Sequence, residues 1–501
     1  MTIASILDKQ VDRHPGKTAI RFENLTISYA DLGARVETAA RRLADLGAGV
    51  GTKIAHLAYN DISFFEVLFA CSRLGAVMVP VNFRLAPEEI AYQLSNSETG
   101  IVVHTADFAE TVTKLRPMSL NVGHWMPSPA TGFGIGGDPL DGSRTGCTDH
   151  APDRALVMIH TSGTTGQPKG AMLSERNILA TVQNQIADFP LTLHDITLTS
   201  APVFHAGGSL ICTLPLLLIG GTVLLQKHFD PIAARQHMAN DGVTCMFAAP
   251  AMWQAIIAAE GAGSATFPAL RLAFSGGAAE TEQSMHQFRK IFGVTLMQGY
   301  GLSECSSTST ILRAEDAEKR LGSVGKPMMT NRVRIVRDDG TDTAPGEIGE
   351  IVQSDDTVML GYFNNPEATA ETIRNGWLHT GDLGMTDADG FIYIKGRKKE
   401  MIISGGENIY PAEIEQFLNA HPAIAESAVV GAPDPKWGET PVAFVACTVN
   451  NSLTETEVID YCKGGIASYK KPSRVIFVKA LPRNPSGKVK KFELVASLNT
   501  N

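Results

Sequence analysis

Residues 161–170 read Thr161-Ser162-Gly163-Thr164-Thr165-Gly166-Gln167-Pro168-Lys169-Gly170, with four hydroxyl side chains, three glycines and a lysine. This is phosphate chemistry. Glycine lets a backbone fold tightly enough for several N–H groups to converge on an oxyanion, hydroxyls add donors, and Lys169 adds charge. The stretch is not a Walker A loop, which needs Gly directly before the lysine; Pro168 stands there. An apolar, strand-like run at 155–160 leads into it. A second glycine cluster, Gly132, Gly134 and Gly137, matches the G-x-G-x-x-G pattern of dinucleotide turns. It follows no strand and opens no helix, so a surface loop is expected there.

A phosphate loop needs a scaffold. Leu32, Val36, Ala39, Leu43 and Leu46 recur at helical steps and stop before Gly47. Arg35, Arg41 and Arg42 fall mostly off that stripe and read as a solvated face. A strand-like 54–60, a helix-like 62–75 and a strand-like 76–82 follow. Such alternation builds parallel sheets with crossover helices. Residues 118–152 are irregular and rich in Gly, Pro and Ser. Residues 210–225 are strongly apolar, but they are shorter than the ~20 residues of a membrane span. Pro215, Gly220 and Gly221 also interrupt them, so a buried helix, a turn and a buried strand are expected. The last hundred residues read as an α+β unit, with helices at 412–420 and 456–464 and strands at 423–432, 441–449 and 474–481. A domain boundary is expected near Gly396–Lys399.

The chain has 501 residues, 44% apolar and 19% charged, enough for two to four globular domains. Lys and Arg number 43 against 52 Asp and Glu, a net charge of −9. That balance argues against a nucleic-acid partner. Seven cysteines, none spaced C-x-x-C, argue against a disulfide scaffold or a cysteine-zinc site and fit a reducing cytoplasm. The first residues lack a secretory pattern.

The decapeptide at 161–170 resembles the signature of the adenylate-forming superfamily, which includes acyl-CoA synthetases, luciferases and peptide-synthetase adenylation domains. Further motifs of that family follow in family order. They are Val203-Phe204-His205-Ala206-Gly207-Gly208, Tyr300-Gly301-Leu302-Ser303-Glu304, Thr380-Gly381-Asp382, Gly396-Arg397, Gly405-Gly406-Glu407-Asn408-Ile409-Tyr410-Pro411 and Pro485-Ser486-Gly487-Lys488. The resemblance spans nearly the whole chain. It implies a large N-terminal domain of stacked α/β subdomains (1–396) and a small mobile α+β domain (397–501), with a hinge at Lys399. It also implies a two-step reaction. A carboxylate attacks the α-phosphate of Mg-ATP to give an acyl-adenylate and pyrophosphate, and the thiol of coenzyme A then displaces AMP.

The same resemblance assigns roles. Lys488 meets the carboxylate and α-phosphate, with Lys169 in the phosphate loop. Glu304 is the Mg2+ ligand beside Thr161, and Ser303 replaces the usual threonine. Ser275-Gly276-Gly277-Ala278 and Gln298-Gly299-Tyr300-Gly301 form the adenine site, and Asp382 and Arg397 contact ribose. Gly405, Gly406 and Glu407 line the pantetheine tunnel, and His205 stands where the tunnel meets the acyl pocket. The implied pocket stretches, 203–211, 246–254, 275–278 and 298–303, hold no Lys, Arg, Asp or Glu. They offer Phe204, Ile211, Met246, Phe247, Met252 and Trp253. An unpaired buried charge is costly, so an apolar monocarboxylate is expected, a fatty acid first and an aromatic acid of the phenylpropenoate type next. The alternative acceptor is an acyl-carrier protein, and the rival of another class is a silent nucleotide sensor. The reading leaves room for peripheral membrane contact and for a homodimer.

Overall fold

The structure is a computed structural model and describes residues 1–129, 132–134, 145, 151–161, 167–259, 266–278, 280, 282–449, 451–463, 465–483 and 489–498. Ser162, Gly163, Thr164, Thr165, Gly166, Gly137 and Lys488 lie outside the described residues. The chain forms two compact units, one of Met1–Val333 with Gln353–Leu378, the other of Arg334–Val352 with His379–Asn501.

The first unit holds two sheets. In the seven-stranded sheet, strands Lys53–Leu57, Val77–Pro80 and Ile101–His104 run parallel, as the apolar alternation predicts. The crossover helix Ile62–Leu74 is capped by the Asp61 carboxylate and ends at Gly75, whose φ of 70° suits a glycine. The edge of this sheet nearest the phosphate loop is antiparallel: Ala155–Thr161 pairs with Lys169–Ser174, which pairs with Gly361–Tyr362. In the nine-stranded sheet, Ile196–Thr199, Cys245–Ala248, Leu272–Gly276 and Leu296–Tyr300 are parallel neighbours. One face packs against Trp253, Phe288 and Phe292, and the other against Phe189, Ile211 and Cys212.

Residues 210–225 resolve as expected. Helix Thr213–Ile219 ends at Gly220, φ 91°, and the buried strand Thr222–Leu225 follows. Among the described residues no helix is long and apolar enough to cross a membrane. The helix Tyr29–Asp45 opens on a capping box between Ser28 and Asp31. Arg42 is exposed as expected, but Arg35 corrects the expected solvated face: it is buried and pairs with the buried Glu66 at 3.0 Å. The Gly132–Gly134 turn is likewise tied down, because Phe133 is buried and its N–H donates to Glu66 Oε2 at 2.8 Å. A carboxylate hidden on the neighbouring helix explains both, and neither is visible from the arginine's own helix.

In the second unit, Trp377–Thr386 pairs with Ile392–Arg397. A separate sheet joins Ile402–Ser404, Glu407–Ile409, Ile424–Asp434, Gly438–Cys447 and Arg474–Phe477. Helices Pro411–Asn419 and Glu455–Lys463 complete the expected α+β pattern.

Candidate active site

Thr161 ends one strand and Lys169 begins the next, and the two are ladder partners. The antiparallel register thus fixes both flanks of the phosphate loop. Thr161 Oγ1 donates to Glu304 Oε1 at 2.9 Å, and the Tyr362 hydroxyl donates to the same oxygen at 2.9 Å. Lys169 Nζ lies 5.2 Å from the Tyr362 ring centre, within cation–π range. Burial, and then the charge of Glu304, push the Tyr362 phenol above its usual pKa, so it stays protonated and donates. Glu304 sits in a single 3₁₀ turn, Ser303–Cys305, whose position is fixed when the Met359 N–H donates to the Glu304 carbonyl at 2.8 Å. Gly301 permits the tight approach before it, since a methyl there would collide with the Ser307 carbonyl. His160, one residue before Thr161, is kept neutral by burial, which lowers its pKa to about 4.

The implied adenine segments are adjacent strand ends, with Ser275 opposite Gln298 and Gly276 opposite Gly299. Strand alternation turns the Ser275 and Gln298 side chains to one face and the two glycines to the other. Ser275 is fully buried and donates to Glu280 at 2.6 Å, and Gln298 is buried. A ligand at the glycine face therefore meets no side chain from these four positions, and the Phe274 ring already covers Gly299. Tyr300 is half-buried at the strand end, while Gly277, φ 88°, and Ala278 are exposed.

The glycine face also carries Phe247, half-buried, and Phe274, buried, with ring centres 5.8 Å apart. Three expected pocket residues, Met246, Met252 and Trp253, are placed elsewhere, the half-buried Met252 packing against the same core as the other two. Met246 and Trp253 are fully buried in the core behind the sheet, and the Trp253 indole N–H donates to the Phe274 carbonyl at 3.1 Å. Strand alternation sends Met246 to the opposite face from Phe247, which a list of apolar residues cannot reveal. His205 caps the short helix Ala206–Leu210 and is exposed by area. Desolvation by the surrounding protein, and then the nearby Arg84 guanidinium, hold its pKa below the usual imidazole range. Phe204 meets Phe83 edge-on at 5.3 Å, extending an aromatic wall through Tyr59.

In the second unit, Asp382 and Arg397 are ladder partners, and Arg397 Nε lies 2.6 Å from Asp382 Oδ1. Asp382 is buried, and its N–H donates to Thr380 Oγ1 at 3.0 Å. Gly405 and Gly406 form the two-residue turn of a hairpin that pairs Ser404 with Glu407, both at positive φ, 61° and 88°. A methyl on Gly405 would stand 2.7 Å from the Trp437 ring, which is half exposed. Lys399 lies in the turn Lys398–Glu400, flanked by Lys398 on Asp338 at 2.7 Å and by Glu400 on Lys491 at 3.0 Å. Tyr362, Arg84 and Trp437 escape a reading of the sequence. Each is one residue in an ordinary-looking stretch, and only a partner brought from far along the chain gives it a role.

Residues 7–363 match the AMP-binding enzyme family, and residues 413–488 match its C-terminal domain. The chain belongs to this family. It is 37% identical over 480 residues to a feruloyl-CoA synthase of Amycolatopsis sp, covering 96% of each chain. It is 36% identical over 507 residues to an indoleacetate–CoA ligase of Aromatoleum aromaticum, covering 99% of this chain and 98% of the relative. The fold superposes on an o-succinylbenzoate CoA synthetase of Bacillus subtilis in complex with its acyl-adenylate intermediate, with a TM-score of 0.87, 30% identity and coverage of 98% and 97%. This AMP-binding enzyme is an AMP-forming acid–thiol ligase, and its ATP-dependent acyl-CoA synthetase reaction uses Mg2+ and coenzyme A.

The donor set fits Mg2+. Among the described residues no group of three or more His, Cys, Asp or Glu could hold a metal. Glu304 instead offers one carboxylate beside the phosphate loop. Magnesium takes one or two carboxylates and completes its shell with phosphates and water.

Proposed function

We propose that this enzyme activates an apolar aromatic monocarboxylic acid, of the phenylpropenoate class, and transfers it to coenzyme A. In the first step a carboxylate oxygen attacks the α-phosphorus of ATP, the bond to the β-phosphate breaks, and pyrophosphate leaves. In the second, the thiolate of coenzyme A attacks the acyl carbon and AMP leaves. The observation that carries the reading is the glycine face of the nine-stranded sheet: the half-buried Phe247 ring, backed at 5.8 Å by the buried Phe274, and the backbone of Gly276 make an uncharged aromatic wall beside the His205 turn. Aromatic rings stack against such walls. The names of the relatives, a feruloyl-CoA synthase and an indoleacetate–CoA ligase, support the same choice. This reverses the order expected from the pocket stretches, which put a fatty acid first; apolar composition alone does not separate alkyl from aryl.

In this reading Glu304 and Thr161 hold Mg2+, which offsets phosphate charge when bound. Lys169 and the loop through Ser162, Gly163, Thr164, Thr165 and Gly166 hold the triphosphate. Tyr300 lies against adenine, and Asp382 accepts from the ribose hydroxyls with Arg397 beside it. Lys488 offsets repulsion between the carboxylate and the α-phosphate. Residues 397–501 turn about Lys399 between the steps, and Gly405, Gly406 and Glu407 then line the thiol's path.

Pyrophosphate release with Mg-ATP, across cinnamates, benzoates, indole acids, fatty acids of graded length, malonate and amino acids, tests the reading. Cinnamates or aryl-alkanoates are expected to lead, with release accelerated by coenzyme A. A clear preference for a fatty acid would overturn the substrate class. Release indifferent to coenzyme A would point to an acyl-carrier acceptor.

A further inference from the structure

The edges of the Phe247 ring meet two glycines on different elements. A methyl on Gly207, in the helix that His205 caps, would stand 2.9 Å from Phe247 Cε1 and 3.1 Å from Cζ. A methyl on Gly276, in the neighbouring strand, would stand 3.6 Å from Phe247 Cε2. The ring tip therefore spans the gap between the His205 turn and the sheet. Phe274 lies behind it, its ring so close to Gly299 that a methyl there would fall 2.5 Å from Cζ. Phe189 backs Phe274 at 4.8 Å, and Ile211, Cys212, Cys245 and Met297 fill the space beyond. Phe247 is half-buried and packs against this cluster.

We infer that Phe247 sets the depth of the acyl slot: wedged between Gly207 and Gly276 in front of Phe274, its ring admits a compact aryl acid and stops an extended chain. The inference rests on the proposed entry of the acyl group between the His205 turn and the glycine face. It adds which residue limits length. Cores are close-packed, so a ring close against Gly207 and backed by Phe274 does not swing aside without displacing its neighbours. Replacing it with a smaller side chain opens a path toward Phe274. Adding a methyl at Gly207 pushes the ring farther into the slot.

The test is the ratio of kcat/KM for 5-phenylpentanoate to that for benzoate, and of octanoate to benzoate, in the wild type, Phe247→Ala and Gly207→Ala. Using a ratio within each variant cancels losses common to all acids. Phe247→Ala should raise both ratios at least about tenfold, the scale on which a pocket discriminates a few methylenes. Gly207→Ala should lower them. If Phe247→Ala does not fold, Phe247→Leu keeps much of the core volume and should raise the ratios severalfold. Ratios within twofold of wild type in the soluble Phe247 variant would overturn the inference. The wild-type ranking of aryl over alkyl acids tests the substrate class separately, since that ranking can fail while the variant ratios still move.

Discussion

Tyr362→Phe isolates one hydrogen bond at the proposed metal carboxylate. Glu304 Oε1 accepts from two hydroxyls, those of Thr161 and Tyr362, each at 2.9 Å. Hydrogen bonds to a charged group contribute about 1.5–3 kcal/mol. Glu304 and Tyr362 are both half-buried, which favours the lower part of that range. At 1.36 kcal/mol per decade, the expected loss in adenylation kcat/KM is roughly 10- to 50-fold. The substitution keeps the aromatic face under Lys169, so the cation–π contact at 5.2 Å survives. Tyr362→Leu removes that contact too and should cost roughly another two- to fivefold. The assay is ATP–pyrophosphate exchange with the preferred acid at subsaturating Mg2+, where carboxylate placement is felt most. Exchange within twofold of wild type for Tyr362→Phe would refute the idea that the phenol positions Glu304. Equal losses in the Phe and Leu variants would leave the hydroxyl in place and refute the Lys169 contribution.

Three further outcomes are expected. Burial raises the Glu66 carboxyl to about 7, against the Phe133 N–H and Arg35, which lower it. The native state therefore holds this proton more tightly than the unfolded chain, whose glutamate titrates near 4.5. The contribution of this one group is fullest below about pH 4.5 and falls by about 3 kcal/mol as pH rises to 7. Urea midpoints at pH 5 and 8 should show a steeper fall for wild type than for Glu66→Gln, and parallel falls would refute the linkage. Lys488→Ala should lose adenylation at least about a hundredfold while thioester formation from preformed acyl-adenylate is nearly kept; equal losses in both steps would remove Lys488 from the first. Lys399→Pro, which fixes φ, should do the reverse, and intact overall turnover would sink the hinge assignment.

Much of the fold is legible in the residues. The run 54–82 alternates strand, helix and strand because apolar periodicity and Gly75 fix each element locally. The Gly-Gly turn after Ile219 is equally local. What escapes depends on the third dimension. Arg35 is by type a surface residue at the border of the apolar stripe, three after Leu32 and four before Ala39, yet it is buried because Glu66 meets it from the next helix in the core. Trp253 looks like a pocket aromatic until its indole is seen bonded to the Phe274 carbonyl behind the sheet. Thr161, Lys169 and Glu304 are each legible, but the tyrosine that joins them comes from a two-residue strand with no periodicity to detect.

The second unit is assembled from two stretches, Arg334–Val352 and His379–Asn501, while Gln353–Leu378 returns to the first unit. No single cut in the chain separates the two. During synthesis, Arg334–Val352 leaves the ribosome 27 residues before His379, the difference between 379 and 352. At about 5–20 residues per second, that is a wait of roughly one to five seconds. For that time its strand Gly349–Gln353 lacks its neighbour Trp377–Thr386. A swap with a relative that exchanges only the C-terminal stretch would leave Arg334–Val352 behind, mismatched to its new partners.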